Sequence, residues 1–505
     1  MKFQLPRTTR NWITLTGATI ALISLFMIIF TFTVSLFGMK GHAYLGLVMY
    51  ILLPAVMILG LLLIPIGMLI QMRREHKHGI ADRPAWPRVD LGESRHRNAF
   101  FIFVIGTTFL LFISAVGSYE AFHFTESVTF CGTMCHSVMH PEHIAYQNSP
   151  HARVACVDCH VGPGADWYVR SKLSGLYQVY ATARNIYPRP IPTPISNLRP
   201  AREVCEQCHW PQKFYAHKLR LESYYLPDEQ NTQWDIALIM KIGAPKSAQG
   251  LEEGIHWHIN PDVKIEYISA DPTREELPWV RYSNMRTGEV VVYQDEEAPL
   301  DEDEIKNREI RVMDCVDCHT RPSHNYRAPN LFVNAAITAG EIPKELPEIK
   351  TVAMDICSNQ FPTMDSALAY IDQEIRTYYE DNYPEILEEK PEMVEKAVKG
   401  LQEVFSKNIF PEMKVRWSAY PDHIGHLNYN GCFRCHNDRH VSEDGAHRIS
   451  KDCNLCHYIS AQGVPGSQEI APLGQVLAFR HPGEDVEEED WKEGLCTDCH
   501  EGLNP

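Results

Sequence analysis

The chain is 505 residues long, too long for one hydrophobic core, and this length predicts about three structural units. Its composition is ordinary, with 45% hydrophobic and 22% charged residues, but its charge is unevenly distributed. Residues 1–118 contain 11 Lys and Arg against 4 Asp and Glu, whereas the remainder contains 36 against 60. A net charge of −17 with this asymmetry argues against nucleic-acid binding and suits a membrane anchor joined to an acidic module.

Three uncharged apolar runs, at about residues 12–37, 45–72 and 99–119, predict transmembrane helices. Each exceeds the roughly 20 helical residues that cross a bilayer, and uncharged runs of this length are rare as buried helices of soluble proteins. The first run is too long for a cleaved signal peptide, and a second follows it closely. Basic residues collect before the first run and between the second and third, so the positive-inside rule predicts a cytoplasmic N-terminus. Residues after 119 would then face the periplasm from a bacterial inner membrane.

The cysteines follow one repeated spacing. Cys-x-x-Cys-His occurs six times, against a chance expectation on the order of 0.02, and a looser copy with three residues between the thiols precedes these six. In chain order we number the copies motifs 1 to 7; their residues are Cys131, Cys135 and His136; Cys156, Cys159 and His160; Cys205, Cys208 and His209; Cys315, Cys318 and His319; Cys432, Cys435 and His436; Cys453, Cys456 and His457; and Cys496, Cys499 and His500.

This spacing predicts covalent haem attachment. Two thiols one turn apart can each add to a vinyl group of one haem, and the adjacent histidine can then bind its iron. Zinc sites and redox dithiols also use paired cysteines, but neither requires a histidine after every second cysteine. Thioether attachment needs an oxidising compartment, which agrees with the periplasmic placement. Cys357 is left over, and we interpret it as an inert buried thiol.

Seven haem irons would need up to seven further ligands. The segment beyond residue 119 holds thirteen histidines outside the motifs, enough for two histidines at most irons, an arrangement that favours electron transfer over substrate binding. Met139 is a candidate for the first iron. The histidines predicted as second ligands, without assignment to particular irons, are His151, His217, His258, His324, His426, His440 and His481.

The predicted fold is mainly α with little regular structure: three transmembrane helices plus a periplasmic multihaem cytochrome c module with a small β insertion. The expected divisions are a membrane anchor at 1–119, a triple-haem region at 120–217, a cysteine-free β-containing insertion at 218–311, a single-haem and helical region at 312–410, and a C-terminal triple-haem region at 411–505. Strands are predicted at Val263–Ala270 and Glu289–Gln294. Thr363 and Pro391 are expected to open helices.

The stretch from the third apolar run to about residue 217 resembles the NapC/NirT family of membrane-anchored multihaem quinol dehydrogenases. The resemblance rests on the run 99–119 leading to Phe130-Cys131, on Ser149-Pro-His-Ala-Arg-Val-Ala before Cys156, and on Arg189-Pro-Ile-Pro and Leu198-Arg-Pro-Ala-Arg before Cys205. It implies a quinol site beside the first haem, with Lys172 as the assisting lysine and Asp166 as the carboxylate. The chain departs from the family pattern by one extra residue between the thiols of motif 1. With three spans and seven motifs, it also resembles the larger inner-membrane cytochromes of metal-respiring bacteria.

The favoured function is therefore a membrane-bound seven-haem cytochrome c that takes electrons from the quinol pool. It would pass them to periplasmic cytochromes or reductases in anaerobic respiration, with the bilayer as its other partner. A terminal reductase with one open haem, acting on nitrite, hydroxylamine or a sulfur oxyanion, is the alternative. A third reading is a subunit that only relays electrons within a larger membrane complex.

Overall fold

The computed structural model describes residues 11–36, 52–78, 91–134, 136–162, 164–193, 199–210, 216–243, 254–482, 486, 491–492 and 494–500. The chain divides into two compact units. The first contains residues 1–139 and 155–157, and the second contains residues 140–154 and 158–505.

The described part of the chain contains helices of very different lengths. In chain order they are α1 (Trp12–Leu36), α2 (Leu53–Lys77), α3 (Ser94–Glu126), α4 (Val128–Thr133), α5 (His136–Gln147), α6 (Cys156–His160), α7 (Ala165–Arg184), α8 (Ala201–Cys205), α9 (Glu302–Asn307), α10 (Cys315–Cys318), α11 (Pro329–Thr338), α12 (Ile349–Ser358), α13 (Met364–Asn382), α14 (Pro384–Glu389), α15 (Pro391–Asn408) and α16 (Cys496–Cys499).

The first three helices are long and apolar enough to cross a membrane, as the sequence predicts. α3 is longer than the predicted span, and the first residues of the predicted second span lie outside the described residues. α1 and α2 pack closely through glycines, because a Cβ added to Gly17 would lie 2.7 Å from the carbonyl oxygen of Gly60. Thr14 on α1 also donates a hydrogen bond of 3.3 Å to the carbonyl of Ile64 on α2.

The described residues of the second unit form two antiparallel sheets rather than one small β insertion. The strands are β1 (His217–Tyr225), β2 (Gln233–Lys241), β3 (Val263–Ile268), β4 (Trp279–Asn284), β5 (Val290–Asp295), β6 (Arg311–Val312), β7 (His440–Ser442), β8 (His457–Gly463) and β9 (Glu469–Ile470). One sheet has the order β1-β2-β8-β9 and the other β6-β3-β4-β5-β7. β3 and β5 confirm the two predicted strands, while β7, β8 and β9 come from the C-terminal part and complete both sheets.

The largest hydrophobic core lies in a helical segment without Cys-x-x-Cys-His motifs, built from α11 to α15. Ile371, Ile375, Leu401 and Phe405 are among its buried side chains. Thr363 caps α13 by accepting a hydrogen bond from the backbone of Ser366, and Pro391 occupies the first turn of α15, so both predicted helix starts are confirmed. The motifs lie outside this core, on short helices and loops.

Candidate haem-binding sites

Six pairs of histidine rings form the main feature of the second unit. Each pair joins the histidine of one Cys-x-x-Cys-His motif to a histidine from elsewhere in the chain, with ring centres 5.9–6.4 Å apart. In the order of motifs 2 to 7, the pairs are His160 with His324, His209 with His151, His319 with His256, His436 with His258, His457 with His426, and His500 with His481.

These separations match two imidazoles on one iron. Ligating nitrogens lie about 2 Å from a metal, so two imidazoles on opposite sides of one iron have ring centres about 6 Å apart. Ordinary ring packing also gives such distances, but here the histidine of each of six motifs has a second histidine as its partner. The donor set therefore fits haem iron bound by two histidines at each of these positions.

Hydrogen bonds orient the second histidine of four pairs. The Nδ1 atoms of His324, His256 and His258 lie 2.9, 3.1 and 3.0 Å from the backbone carbonyl oxygens of Glu142, Ile242 and Ile255, and Nδ1 of His151 lies 3.3 Å from that of Pro322. Histidines that bind metals usually donate one ring N–H to a carbonyl in this way, which fixes the ring and its tautomer. Nε2 is then the nitrogen that would face the iron.

His256 and His258 show how local structure separates two ligands. Both lie in the 3-10 helix Ile255–Ile259. Successive residues of a 3-10 helix are rotated by about 120°, so residues two apart point in different directions. One ring accordingly meets His319 and the other meets His436. His256 was missing from the predicted ligands, and the helical turn that would have revealed it is not apparent in the short Ile-His-Trp-His-Ile sequence.

Removal from water favours the neutral form of several of the paired histidines. Burial lowers the pKa of His258, His324 and His426 to about 4. It lowers the pKa of His160, His256 and His481 as well. The neutral imidazole is the form that binds metal, so the surroundings favour the ligating state.

A tight loop places the His426 ring beside His457 of motif 6. Gly431 has a φ of +49°, and a Cβ at this position would overlap the carbonyl oxygen of Gly425. The backbone N–H of Cys432 donates to that same oxygen at 3.0 Å. The His426 ring then stacks on Phe433 with centres 4.3 Å apart. Glycine is needed here because a side chain has no room and this backbone conformation is unfavourable for other residues.

Two predicted ligands are not placed against a motif histidine. His217 is exposed on β1, and its ring contacts Tyr458. His440 is fully buried, with its two ring nitrogens 3.0 Å from Oδ1 of Asn437 and 2.7 Å from the carbonyl of Leu277. Both nitrogens are thus already engaged within the protein, which leaves neither for iron, so we correct the ligand set by leaving His440 out.

Motif 1 and the quinol-site candidates can be described only in part. Cys131 and Met139 are half-buried, whereas Cys135 and the side chain of His136 lie outside the described residues. Lys172 is half-buried on α7, with its Nζ 5.0 Å from the ring centre of Tyr168. Asp166 is exposed in the first turn of α7. These placements leave the roles of all six residues as predictions.

Contacts between thiols show which motifs are neighbours. The thiols of Cys205 and Cys315 lie close enough to interact, which places motifs 3 and 4 side by side. Those of Cys432 and Cys456 likewise place motifs 5 and 6 side by side. Cys318 lies within electrostatic range of Cys435, and Sγ of Cys496 lies 3.5 Å from Nδ1 of His426. Motifs 3 to 7 therefore follow one another in space in their chain order.

Motif 2 lies beside motif 4, because its second histidine comes from the loop after motif 4. His324 follows motif 4 by five residues and pairs with His160. His151, the partner of His209, lies against the carbonyl of Pro322 in the same loop. One loop after motif 4 thus connects the sites of motifs 2, 3 and 4.

Comparisons with known proteins identify the family. The model of the NapC/NirT cytochrome c family, N-terminal region, matches residues 93–189. The chain is similar to the cytochrome c-type protein ImcH of Geobacter sulfurreducens, with 43% identity over 493 residues that cover 97% of this chain and 95% of the relative. No solved structure matches significantly. The chain belongs to the NapC/NirT-type multihaem c-type cytochromes, membrane electron-transfer proteins with covalently bound haem c.

Proposed function

We propose that this protein is a seven-haem cytochrome c of the bacterial inner membrane. It takes electrons from the quinol pool and passes them to periplasmic cytochromes or reductases in anaerobic respiration. The observation that carries the proposal is the set of six ring pairs at 5.9–6.4 Å. These pairs would supply each of motifs 2 to 7 with two histidine ligands, as an electron-transfer haem requires.

In this proposal the protein's residues hold and isolate the cofactors. The cysteines of each motif would tether one haem by thioether bonds, and at motifs 2 to 7 the paired histidines would bind its iron. Such a haem would supply one-electron redox chemistry. Four of the second histidines are held by backbone carbonyls, so these ligands would need little rearrangement when the charge on the iron changes.

The series of neighbouring motifs supports a continuous route through the second unit. Adjacent motifs are close enough for their thiols or ligands to touch. Electrons delivered at motif 2 or 3 would therefore have neighbours to hop to as far as motif 7. The two ends of the series are the natural places for entry and exit.

Entry from quinol is proposed near motif 1. Quinol releases two protons as it is oxidised, and a lysine or carboxylate beside it can accept them. Lys172 and Asp166 are our candidates, following the resemblance to the family. The three spans would anchor this end in the bilayer, with the N-terminus in the cytoplasm and the haems in the periplasm.

The acidic composition of the region beyond residue 118 supports electron transfer to a basic carrier. Residues beyond 118 have 60 acidic against 36 basic side chains. Such a surface attracts basic partners and makes their association sensitive to salt. We therefore propose a basic periplasmic cytochrome or reductase as the acceptor.

The experiment uses the full-length protein in detergent. Its mass should exceed that of the polypeptide by seven haems, and a quinol analogue should reduce these haems. Lys172→Met should slow reduction by quinol while dithionite still reduces all haems. Lys218→Met, at an exposed lysine on β1, serves as the control and should behave as wild type.

The outcomes separate the candidate functions. A mass short of seven haems would refute the cofactor assignment. Full haem content with no reduction by quinol would favour a relay subunit of a larger complex. A high-spin haem that turns over nitrite, hydroxylamine or a sulfur oxyanion would favour a terminal reductase, with motif 1 as its site. Unchanged quinol kinetics in Lys172→Met would remove this lysine from the proposal.

A further inference from the structure

A buried carboxylate lies inside motif 4. Asp317 stands between Cys315 and Cys318, and its side chain is 1% exposed. Its Oδ1 accepts hydrogen bonds of 2.7 Å from the hydroxyl of Tyr267, from Arg274 Nη1 and from Arg311 Nε. Two guanidinium groups from outside the motif therefore converge on one carboxylate within it.

A buried arginine of motif 5 reaches the same place. Arg434 stands between Cys432 and Cys435, and it is 6% exposed. Its Nη2 donates to the backbone carbonyl of Asp317 at 2.8 Å, and its Nη1 donates to that of Arg274 at 2.9 Å. The third donor, Nε, bonds the carbonyl of Gly431 at 2.8 Å. Arg434 thus bridges motifs 4 and 5 directly.

We call Arg274, Arg311, Arg434 and Asp317 the cationic junction. Arg274 and Arg311 bond the carboxylate of Asp317, whereas the hydrogen bonds described for Arg434 all go to backbone carbonyls. The side chains of Arg274 and Arg311 are 13% and 31% exposed. These four residues together carry two more positive than negative charges, and the acidic side chains of Asp314, Asp422 and Asp295 lie near the same two motifs. Arg434 and Asp317 are buried, so water screens their charges poorly. Arginine stays charged at any ordinary pH.

The charge of Arg434 is close to the attachment points of both haems. Arg434 stands between Cys432 and Cys435 of motif 5, and its Nη2 donates at 2.8 Å to the carbonyl of Asp317, which stands between Cys315 and Cys318 of motif 4. Adding an electron to a haem lowers its net charge by one, and a fixed positive charge nearby stabilises that reduced state. The effect is strong where the dielectric constant is low.

We propose that the cationic junction raises the reduction potentials of the haems at motifs 4 and 5 and fixes their separation. Electrons entering from either end of the series would then collect at this central pair. The inference rests on the proposed function only in requiring haem at motifs 4 and 5. It adds a positioning and tuning role for residues that bind no iron.

The test is a spectroelectrochemical titration of the full-length protein with its haems. Arg434→Gln removes the charge and keeps an amide donor, so two of the haem components should shift to more negative potentials. Arg434→Lys retains the charge and should lie nearer to wild type. Arg439→Gln is the matched control, because Arg439 is partly exposed and is paired with Asp295 and Glu297 instead.

Haem content distinguishes a failure of the proposed function from a failure of the inference about the cationic junction. If the wild-type mass lacks haem at motif 4 or 5, the proposed function fails, whatever the titration shows. If Arg434→Gln keeps all haems and titrates as wild type, the junction has no tuning role and the inference is overturned. Should Arg434→Gln not accumulate, the more exposed Arg311→Gln decides, since it must produce a shift of the same sign.

Discussion

Replacing His256 or His258 tests the assignment of ligands most sharply, because the two are only two residues apart. His256 lies 6.4 Å from His319, and His258 lies 5.9 Å from His436, measured between ring centres. Each substitution by alanine should therefore open the sixth position of a different iron. About one haem in seven should become high-spin in each variant, and about two in seven in the double variant.

Carbon monoxide binding gives the count, because it binds reduced haem only where an axial position is open. Relative to wild type, each single variant should bind about one more molecule per chain, and the double variant about two more. His217→Ala is the control, since His217 contacts Tyr458 rather than a motif histidine, and it should bind no more than wild type. A double variant that gains no more than either single variant would mean that both histidines serve one iron, and the assignment would be wrong.

Three further results are expected. The ring planes cross at 75° and 83° in the pairs of His209 and His436 but at 8° in that of His319. Because the relative orientation of the ligand planes sets the spacing of the iron d orbitals, EPR should resolve both highly anisotropic and rhombic low-spin signals. A single signal type would contradict the geometry. Gly431→Ala should destabilise the protein by about 3 kcal/mol in thermal unfolding and release His426 from motif 6. Gly445→Ala, at a glycine with open space around it, is the control and should cost about 1 kcal/mol. Equal losses of stability in the two variants would refute the clash at Gly431. Burial lowers the pKa of Lys350 from 10.5 to about 7. Between these pH values the unfolded chain binds more protons than the folded chain, so the free energy of unfolding should rise with pH, by up to about 5 kcal/mol. Lys350→Met should flatten the dependence of Tm on pH, and an unchanged slope would show that Lys350 is not the group responsible.

The sequence predicted the local features and missed those that depend on the fold. The motifs, the three apolar helices and the capped helix at Thr363 could be predicted because each signal lies within a few consecutive residues. The pairing of His160 with His324 could not, because it depends on a loop more than a hundred residues away. His440 has the sequence context of a ligand, yet the carbonyl of Leu277 engages it. The extent of the sheets was underestimated because β7 and β9 are too short to show a periodic pattern.

The sheet pairing also constrains the order in which the chain can fold. β2 takes β8 as its neighbour, with Met240 opposite His457, and β5 pairs with β7 at residues 440–442. Neither sheet can close until the last quarter of the polypeptide has emerged, and such distant strand pairing is slow. During that interval the cysteines of motif 4, which directly follow β6, would be more accessible to the enzymes that attach haem. Late closure of the sheets would therefore let cofactor attachment precede folding.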